Sequence, residues 1–290
     1  MTAEERGDRP PQEGSRTAAT AAPAASALPA GVPLPTAGSA LAGEPLPAGV
    51  AQAFEPAALA VIVPAHNEEE LLGDCLRAIV AAASATDLPT LLVVVLDRCS
   101  DGSAEVAAQI AAEARAGSAI RILEGVFPHV GAVRNAGVSA TAAHWPGIPA
   151  QRIWTAHTDA DSRVPHHWLA RQAEFARAGY DLVVGTVEPD EDRTTPAGSL
   201  WFARHELCEG HSAVHGANLG MRLNRLLEAG GFSALPVSED VETVRRLQRA
   251  GVPWIATDTT RVLTSARRAG RAPGGFARFM RDLDGMAASS

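Results

Sequence analysis

Two aspartates one residue apart, Asp159 and Asp161, end the stretch RIWTAHTDAD, which begins as an apolar run. Like charges this close raise each other's proton affinity unless a cation or a shared proton relieves them. The pair is therefore either a seat for a hard divalent cation, bound through carboxylate oxygen, or a solvated turn. A second acidic group, Glu239 and Asp240 in VSEDVETVRRLQRAG, opens a predicted helix. Carboxylates there could accept a proton from a reacting group. They are equally what capping and the helix dipole favour in a first turn. Two further polar clusters, PAHNE at 64–68 and DRCSDG at 97–102, each follow an apolar run.

The elements that would position these groups alternate regularly. LAVIVPA from Leu59, TLLVVVLD, RIWTAHTD and YDLVVGTV read as buried strands, and AIRILEG as a short third one. Helices are predicted in NEEELLGDCLRAIVAAA, with acids in its first turn, and in SDGSAEVAAQIAAEARA, with Ser100 and Asp101 as cap candidates. Two more are predicted in VGAVRNAGVSATAAH and in PHHWLARQAEFARAG, led by Pro165. Apolar strands alternating with amphipathic helices predict an α/β fold whose mainly parallel sheet is covered on both faces. Such sheets bind ligands beyond the carboxyl ends of their strands. Three of the polar clusters then share one edge of the sheet.

Composition narrows the chemistry. The 290 residues are 46% hydrophobic and 20% charged, with a net charge of -8, enough for one sizeable domain and a tail or for two small domains. Residues 1–55 are rich in Ala, Pro, Gly and Ser and are expected to be a disordered tail. All 25 basic residues are arginine. The absence of lysine excludes P-loop phosphate binding and Schiff-base catalysis. The acidic balance gives no reason to expect a nucleic-acid partner. Cys75, Cys99 and Cys208 form no C-x-x-C pair, which suggests a reducing compartment rather than a disulfide framework or zinc knuckle. No apolar segment reaches membrane-span length and the start lacks a signal-peptide core. The expectation is a soluble cytoplasmic protein without an integral membrane segment, peripheral membrane association and oligomeric state being left open.

Six motifs occur in order: VIVPAHNEEELLGDCLRAI, VVVLDRCSDGS, VGAVRNAG, TDADSRVPHHWL, HGANLGMR and GGFSALPVSEDVE. Over residues 58–285 the chain resembles the family-2 glycosyltransferases, nucleotide-diphospho-sugar transferases of the Rossmann-like GT-A fold. The resemblance implies a GT-A domain over 56–290, with a nucleotide-binding half at 56–162 and an acceptor-binding half at 163–290. It implies a nucleotide pocket bordered by Pro64, Ala65 and Glu68, with Asp97 at the base and Arg134 and Asn135 near the nucleotide. Leu96 stands where the family commonly has another aspartate. Asp159 and Asp161 match the D-x-D motif that holds the ribose and a divalent cation, Mg²⁺ or Mn²⁺. Asp240 matches the general base of inverting members, with Glu239 beside it. His215, Gly216 and Asn218 match an acceptor-side strand. The chain has no histidine after His215 to serve as a late metal ligand.

Other residues keep two readings. Arg267, Arg268 and Arg271 lie in TSARRAGRAPGGFARF, a loop that could close over a diphosphate or a solvated basic linker. His211 and His215 could share a helical face or line an acceptor pocket, while His166 and His167 read as surface histidines. The stretch 190–215 is expected to select the acceptor. The function implied is a metal-dependent, inverting glycosyltransferase, a hexosyltransferase, moving sugar from a nucleotide-diphospho-sugar donor to an unidentified acceptor hydroxyl. An aspartate-nucleophile phosphohydrolase is disfavoured by the missing lysine and by the late position of the D-x-D. A sugar nucleotidyltransferase would carry a Gly-rich basic first loop, absent here. A non-catalytic nucleotide-sugar binder is the remaining alternative.

Overall fold

The computed structural model describes residues 54–114, 118–270 and 275–288. The expected tail up to residue 53 and Arg271 lie outside them. The first strand, β1 (Ala58–Ala65), leads through a turn to α1 (Leu72–Ala83). β2 (Thr90–Asp97), α2 (Ser103–Glu113), β3 (Ser118–Gly125), α3 (Val130–His144) and β4 (Ile153–His157) follow. The second part holds β5 (Ser162–Arg163), α4 (Trp168–Arg177), β6 (Leu182–Pro189), α5 (Pro196–Arg204) and β7 (Leu219–Arg222). It ends with α6 (Leu223–Glu228), α7 (Glu239–Arg249), β8 (Trp254–Thr264) and α8 (Phe276–Ala287).

Among the described residues eight strands form one sheet in the order β3-β2-β1-β4-β7-β6-β8-β5. β1 pairs in parallel with β2 and β4, β2 with β3, and β6 with β8, while β7 and β5 run antiparallel to their neighbours. The sheet is thus mainly parallel, and the alternation of its side chains builds two cores. Leu59, Val61 and Val63 of β1 pack with Leu92, Val94 and Leu96 of β2 on one face. Ala60, Ile62, Leu91, Val93 and Val95 pack on the other. Strands buried on both faces must be apolar at every position, which is why β1 and β2 read as continuous hydrophobic runs. Each core draws residues from both sides of position 162.

Helix starts differ in detail from expectation. Glu68, Glu69 and Glu70 occupy the turn before α1 rather than its first turn. α2 is capped at Gly102, while the Asp101 carboxylate accepts the Ser103 N–H at 3.1 Å from one position earlier. Pro165 leads a turn, and α4 proper begins at Trp168.

Asn218 departs from its expected place. It ends a turn one residue before β7 and is fully buried. Its Nδ2 donates to the carbonyls of Thr186 and Thr260, both at 2.7 Å, and its Oδ1 accepts Trp168 Nε1–H at 2.9 Å. These bonds tie β6, β8 and α4 together, so the side chain is committed to the interior and faces no acceptor. Asn218→Ala would strand three buried partners, and a loss of about 3 kcal/mol in urea unfolding is expected. A loss under about 0.5 kcal/mol would refute the interior role.

Candidate active site

The polar turns after β1, β2 and β4 converge on a cleft of about 490 Å³ at the carboxyl edge of the sheet. Its far wall is made by the turn 214–217 and by the first turn of α7. Pro64, Ala65, Glu68, Asp97, Arg134, Asp159, Asp161, His215, Gly216, Glu239, Asp240 and Arg267 all border it. Asn135 and Asn218 do not line it.

At the β2 exit the Asp97 carboxylate accepts Arg98 Nε–H at 3.0 Å, Arg98 Nη2–H at 2.9 Å and the Phe127 N–H at 2.9 Å. Burial pushes the proton affinity of Asp97 up, but these donors outweigh it and hold the carboxyl below its ordinary range. Arg98 takes the left-handed backbone region with φ 50°, as do Asn67 at 54° and Ser238 at 60°. Among the described residues these are the non-glycine positions with positive φ. All three lie in or beside the cleft, the pattern expected where surrounding contacts enforce costly backbone geometry at a functional site. Asn67 is steadied by accepting the Ser100 N–H at 2.7 Å.

Asp159 and Asp161 both line the cleft. Asp159 accepts Arg134 Nη2–H at 2.6 Å. Asp161 lies 3.0 Å from Arg267 Nη2, and the same guanidinium forks onto Glu68 at 2.6 and 2.7 Å. Burial first, and then the charge of Asp159, raise the pKa of Asp161 from 3.8 to about 6, although Arg267 opposes the shift. The site therefore carries more negative charge than its arginines neutralise, in hard oxygen donors. That donor set fits a divalent cation. Among the described residues no group of three or more His, Cys, Asp or Glu converges as a metal site. Asp159 and Asp161 would leave most of a cation's coordination to water and ligand oxygen, as Mg²⁺ commonly requires.

The raised pKa has a consequence for stability. Between about pH 3.8 and 6 the folded chain retains a proton on Asp161 that the unfolded chain has released. Stability from this group is thus full below that window and falls as pH rises through it. In chelator, Asp161→Asn should melt higher than the parent at pH 7 and equally at pH 3.5, the two melting curves being the measurement. Equal melting at both pH values would remove the buried-charge account.

Across the cleft, Glu239 and Asp240 start α7. Ser238, the residue before them, makes no side-chain cap, so the first-turn acids are not part of a capping box. Burial pushes both carboxyls up, and the Asp240 charge raises Glu239 further. Backbone N–H groups of Val241 and Gly216 and the charge of Arg134 restrain the shift of Asp240. A carboxylate held basic by burial yet still ionisable is suited to proton abstraction. Gly216 is required by space: a Cβ there would sit 2.8 Å from Arg134 Nη2 and 3.2 Å from Asp240 Oδ2. His215 beside it is kept neutral, its pKa pulled down to about 3 by burial and by nearby His205 and His211.

Several expected roles move. Asn135 donates from Nδ2 to the Phe232 carbonyl at 2.9 Å and accepts the Phe232 N–H at 2.8 Å, pinning a glycine turn rather than meeting the cleft. Gly231 in that turn has φ +73°, and a Cβ on it would lie 2.5 Å from Asn135 Oδ1. Arg268 points away from the cleft onto Asp284, at 2.8 and 3.0 Å, and Glu191. His211 and His215 share no helix: His211 is buried with Nε2 3.1 Å from the Val184 carbonyl, and only His215 borders the cleft. His166 and His167 are exposed. His215 to Asn218 form a turn ahead of β7 rather than a strand. Sequence reasoning passed over His129, whose Nδ1 caps α3 by accepting the Ala132 N–H at 3.1 Å. It placed Arg98 at this edge only as part of the 97–102 cluster, and did not single out Thr264 and Phe276 as cleft-lining groups. Histidine is not a favoured cap residue, so 129 gave no signal.

Solved structures share this fold. TarS from S. aureus, solved with UDP-GlcNAc, superposes with a TM-score of 0.56 at 14% identity, covering 80% of this chain and 66% of TarS. The mannosyltransferase PcManGT from Pyrobaculum calidifontis, solved with GDP-Man and Mn²⁺, gives 0.54 at 17% identity, covering 81% of this chain and 70% of that one. The shared fold is GT-A. In sequence the chain is 32% identical over 147 residues to the undecaprenyl-phosphate 4-deoxy-4-formamido-L-arabinose transferase of Edwardsiella ictaluri. That alignment covers 50% of this chain and 40% of the relative, so the chain spans about two fifths of the curated relative it matches. The family model described as glycosyl transferase family 2 matches residues 60–224, more than half of the chain, from within β1 to the start of α6. The chain belongs to glycosyl transferase family 2.

Proposed function

We propose that the chain is a metal-dependent, inverting glycosyltransferase that moves a hexosyl group from a nucleotide-diphospho-sugar to an acceptor hydroxyl. The observation that carries this reading is the facing of two acid pairs across one cleft. Asp159 and Asp161 stand on the sheet side, and Glu239 and Asp240 on the helix side. Asp240 accepts the acceptor hydroxyl proton as its oxygen attacks the anomeric carbon. The bond from that carbon to the diphosphate breaks on the opposite face, which inverts the configuration. Asp159 and Asp161 would hold Mg²⁺ or Mn²⁺, which supplies positive charge against the leaving diphosphate. Pro64, Ala65, Glu68 and Asp97 would bound the nucleotide, and Arg267 offers a guanidinium fork matched to phosphate oxygen.

On this reading 56–162 is the donor half and 163–290 the acceptor half. The donors named for the solved relatives, UDP-GlcNAc and GDP-Man, support a nucleotide-sugar ligand. Among the described residues no helix is long and apolar enough to cross a membrane. We place the protein in the cytoplasm or against a membrane face. The test is a thermal-shift panel of UDP-, GDP- and TDP-sugars with and without Mn²⁺, followed by anomer analysis of the product. A shift requiring both sugar nucleotide and metal is expected. A chain that no member of the panel stabilises would overturn the reading.

A further inference from the structure

Arg134 is the most buried charge in the cleft wall, with 2% of its side chain exposed. It belongs to α3, and its guanidinium reaches across to the ends of two other elements. Nη2–H donates to Asp159 Oδ1 at 2.6 Å, beyond the end of β4. Nε–H donates to Glu239 Oε1 at 3.4 Å, in the first turn of α7. The Phe232 ring lies against it, 5.6 Å from Cζ to the ring centre, and Phe232 is itself clamped by Asn135. The Gly216 backbone fills another side. The remaining nitrogen, Nη1, is buried without a hydrogen-bond partner. The Nε–Nη2 edge of the guanidinium is thus committed to the two carboxylates rather than to a diphosphate. A buried donor left unpaired is costly, so the group is held there for its charge and its fork.

We infer that Arg134 is a positioning residue, not a nucleotide contact: it couples the acid pair at the end of β4 to the acid pair at the start of α7. One cation orients the Asp159 carboxylate and supplies the countercharge that opposes the rise in proton affinity which burial imposes on the Glu239–Asp240 pair. The groups facing Asp240 are Arg134 from α3, Asp159 beyond β4, Glu239 beside it, and the N–H groups of Gly216 and Val241. Among these groups Arg134 is the one that carries positive charge. Without it, Asp240 keeps two like charges nearby and must hold its proton to higher pH. Lysine would restore the charge but not the fork, because an ammonium cannot present two fixed N–H directions to two separate carboxylates.

This assignment rests on the proposed transferase reading, and the experiment separates the two. Wild type, Arg134→Gln, Arg134→Lys, Glu239→Gln and the double variant Arg134→Gln/Glu239→Gln are compared as full chains. UDP and GDP binding with Mn²⁺ is measured by calorimetry, and kcat is followed against pH with the donor that wild type uses. Arg134→Gln should keep nucleotide affinity within about threefold of wild type while kcat falls by about 10²-fold, the scale of a lost preorganised charge. The acid limb of its kcat profile should move up by about one pH unit, as removal of a close countercharge demands. Arg134→Lys should recover about tenfold of the lost kcat. The double variant should fall no further than Arg134→Gln alone, because both changes cut the same link. Loss of nucleotide affinity by more than tenfold with an unmoved pH limb would make Arg134 a ligand contact and overturn the inference. If Arg134→Gln does not fold, Arg134→Lys and Glu239→Gln carry the same readouts. A wild-type chain that binds no nucleotide sinks the functional reading and this assignment together. Transfer by wild type with an unmoved limb in the variants sinks this assignment alone.

Discussion

Asp240→Asn is expected to lower the rate of transfer by about 10³-fold, within the range that general-base catalysis contributes. The substitution keeps the size of the side chain and an oxygen for the N–H groups that Asp240 now meets at Val241, at 2.8 Å, and at Gly216. It removes the capacity to take up a proton. The fold and the donor seat should therefore survive, and nucleotide-sugar binding with Mn²⁺ should stay within a few-fold of the parent. Glu239→Gln is expected to cost less than Asp240→Asn, because Glu239 is engaged by Arg134 rather than presented to an acceptor. The decisive measurement is single-turnover transfer with enzyme in excess over donor. An Asp240→Asn chain retaining more than about a tenth of the parental rate would move the base elsewhere.

Asp161→Ala should be comparably damaging by another route. Its carboxylate belongs to the charge surplus that would attract a cation. Without it, transfer should fall by about 10³-fold, the scale of lost electrostatic stabilisation of a leaving group. Excess Mn²⁺ should not restore the rate, and the metal-dependent part of the donor thermal shift should vanish. EDTA should reduce the parent to a similar level and leave the variant unchanged. Full parental turnover in EDTA would refute metal dependence. The same carboxylate is predicted above to cost stability at neutral pH in chelator, the trade expected of a group kept for chemistry rather than for folding.

Much of the layout was legible in the sequence because it follows from local pattern. β1 and β2 are continuous apolar runs, a texture that two-sided burial explains, β4 is a shorter buried run with Thr155 and His157 in it, and each is followed by its acidic turn. The parallel arrangement puts those turns on one edge, so Glu68, Asp97, Asp159 and Asp161 could be grouped before any geometry was known. What was not legible depends on partners distant in sequence. Asn218 sits in a plausible ligand motif, yet its partners Thr186, Thr260 and Trp168 are 32, 42 and 50 residues away. Asn135 meets a backbone 97 residues on. Arg267 and Arg268 are neighbours of identical type, but one turns to Glu68 and Asp161 and the other to Asp284 and Glu191. No composition rule separates them. The two-residue strand β5 is too short to leave a period, and it exists through its pairing with the end of β8.

The single sheet also limits how the enzyme can move. β4 pairs with β7 across the boundary between the proposed donor and acceptor halves, and β5, which straddles that boundary, pairs with β8. Severing the chain there would give fragments with bare ladder edges and half-built cores, prone to associate wrongly. The same continuity argues against a hinge at that boundary, so any opening around a ligand is expected in the turns along the rim rather than in two lobes swinging apart.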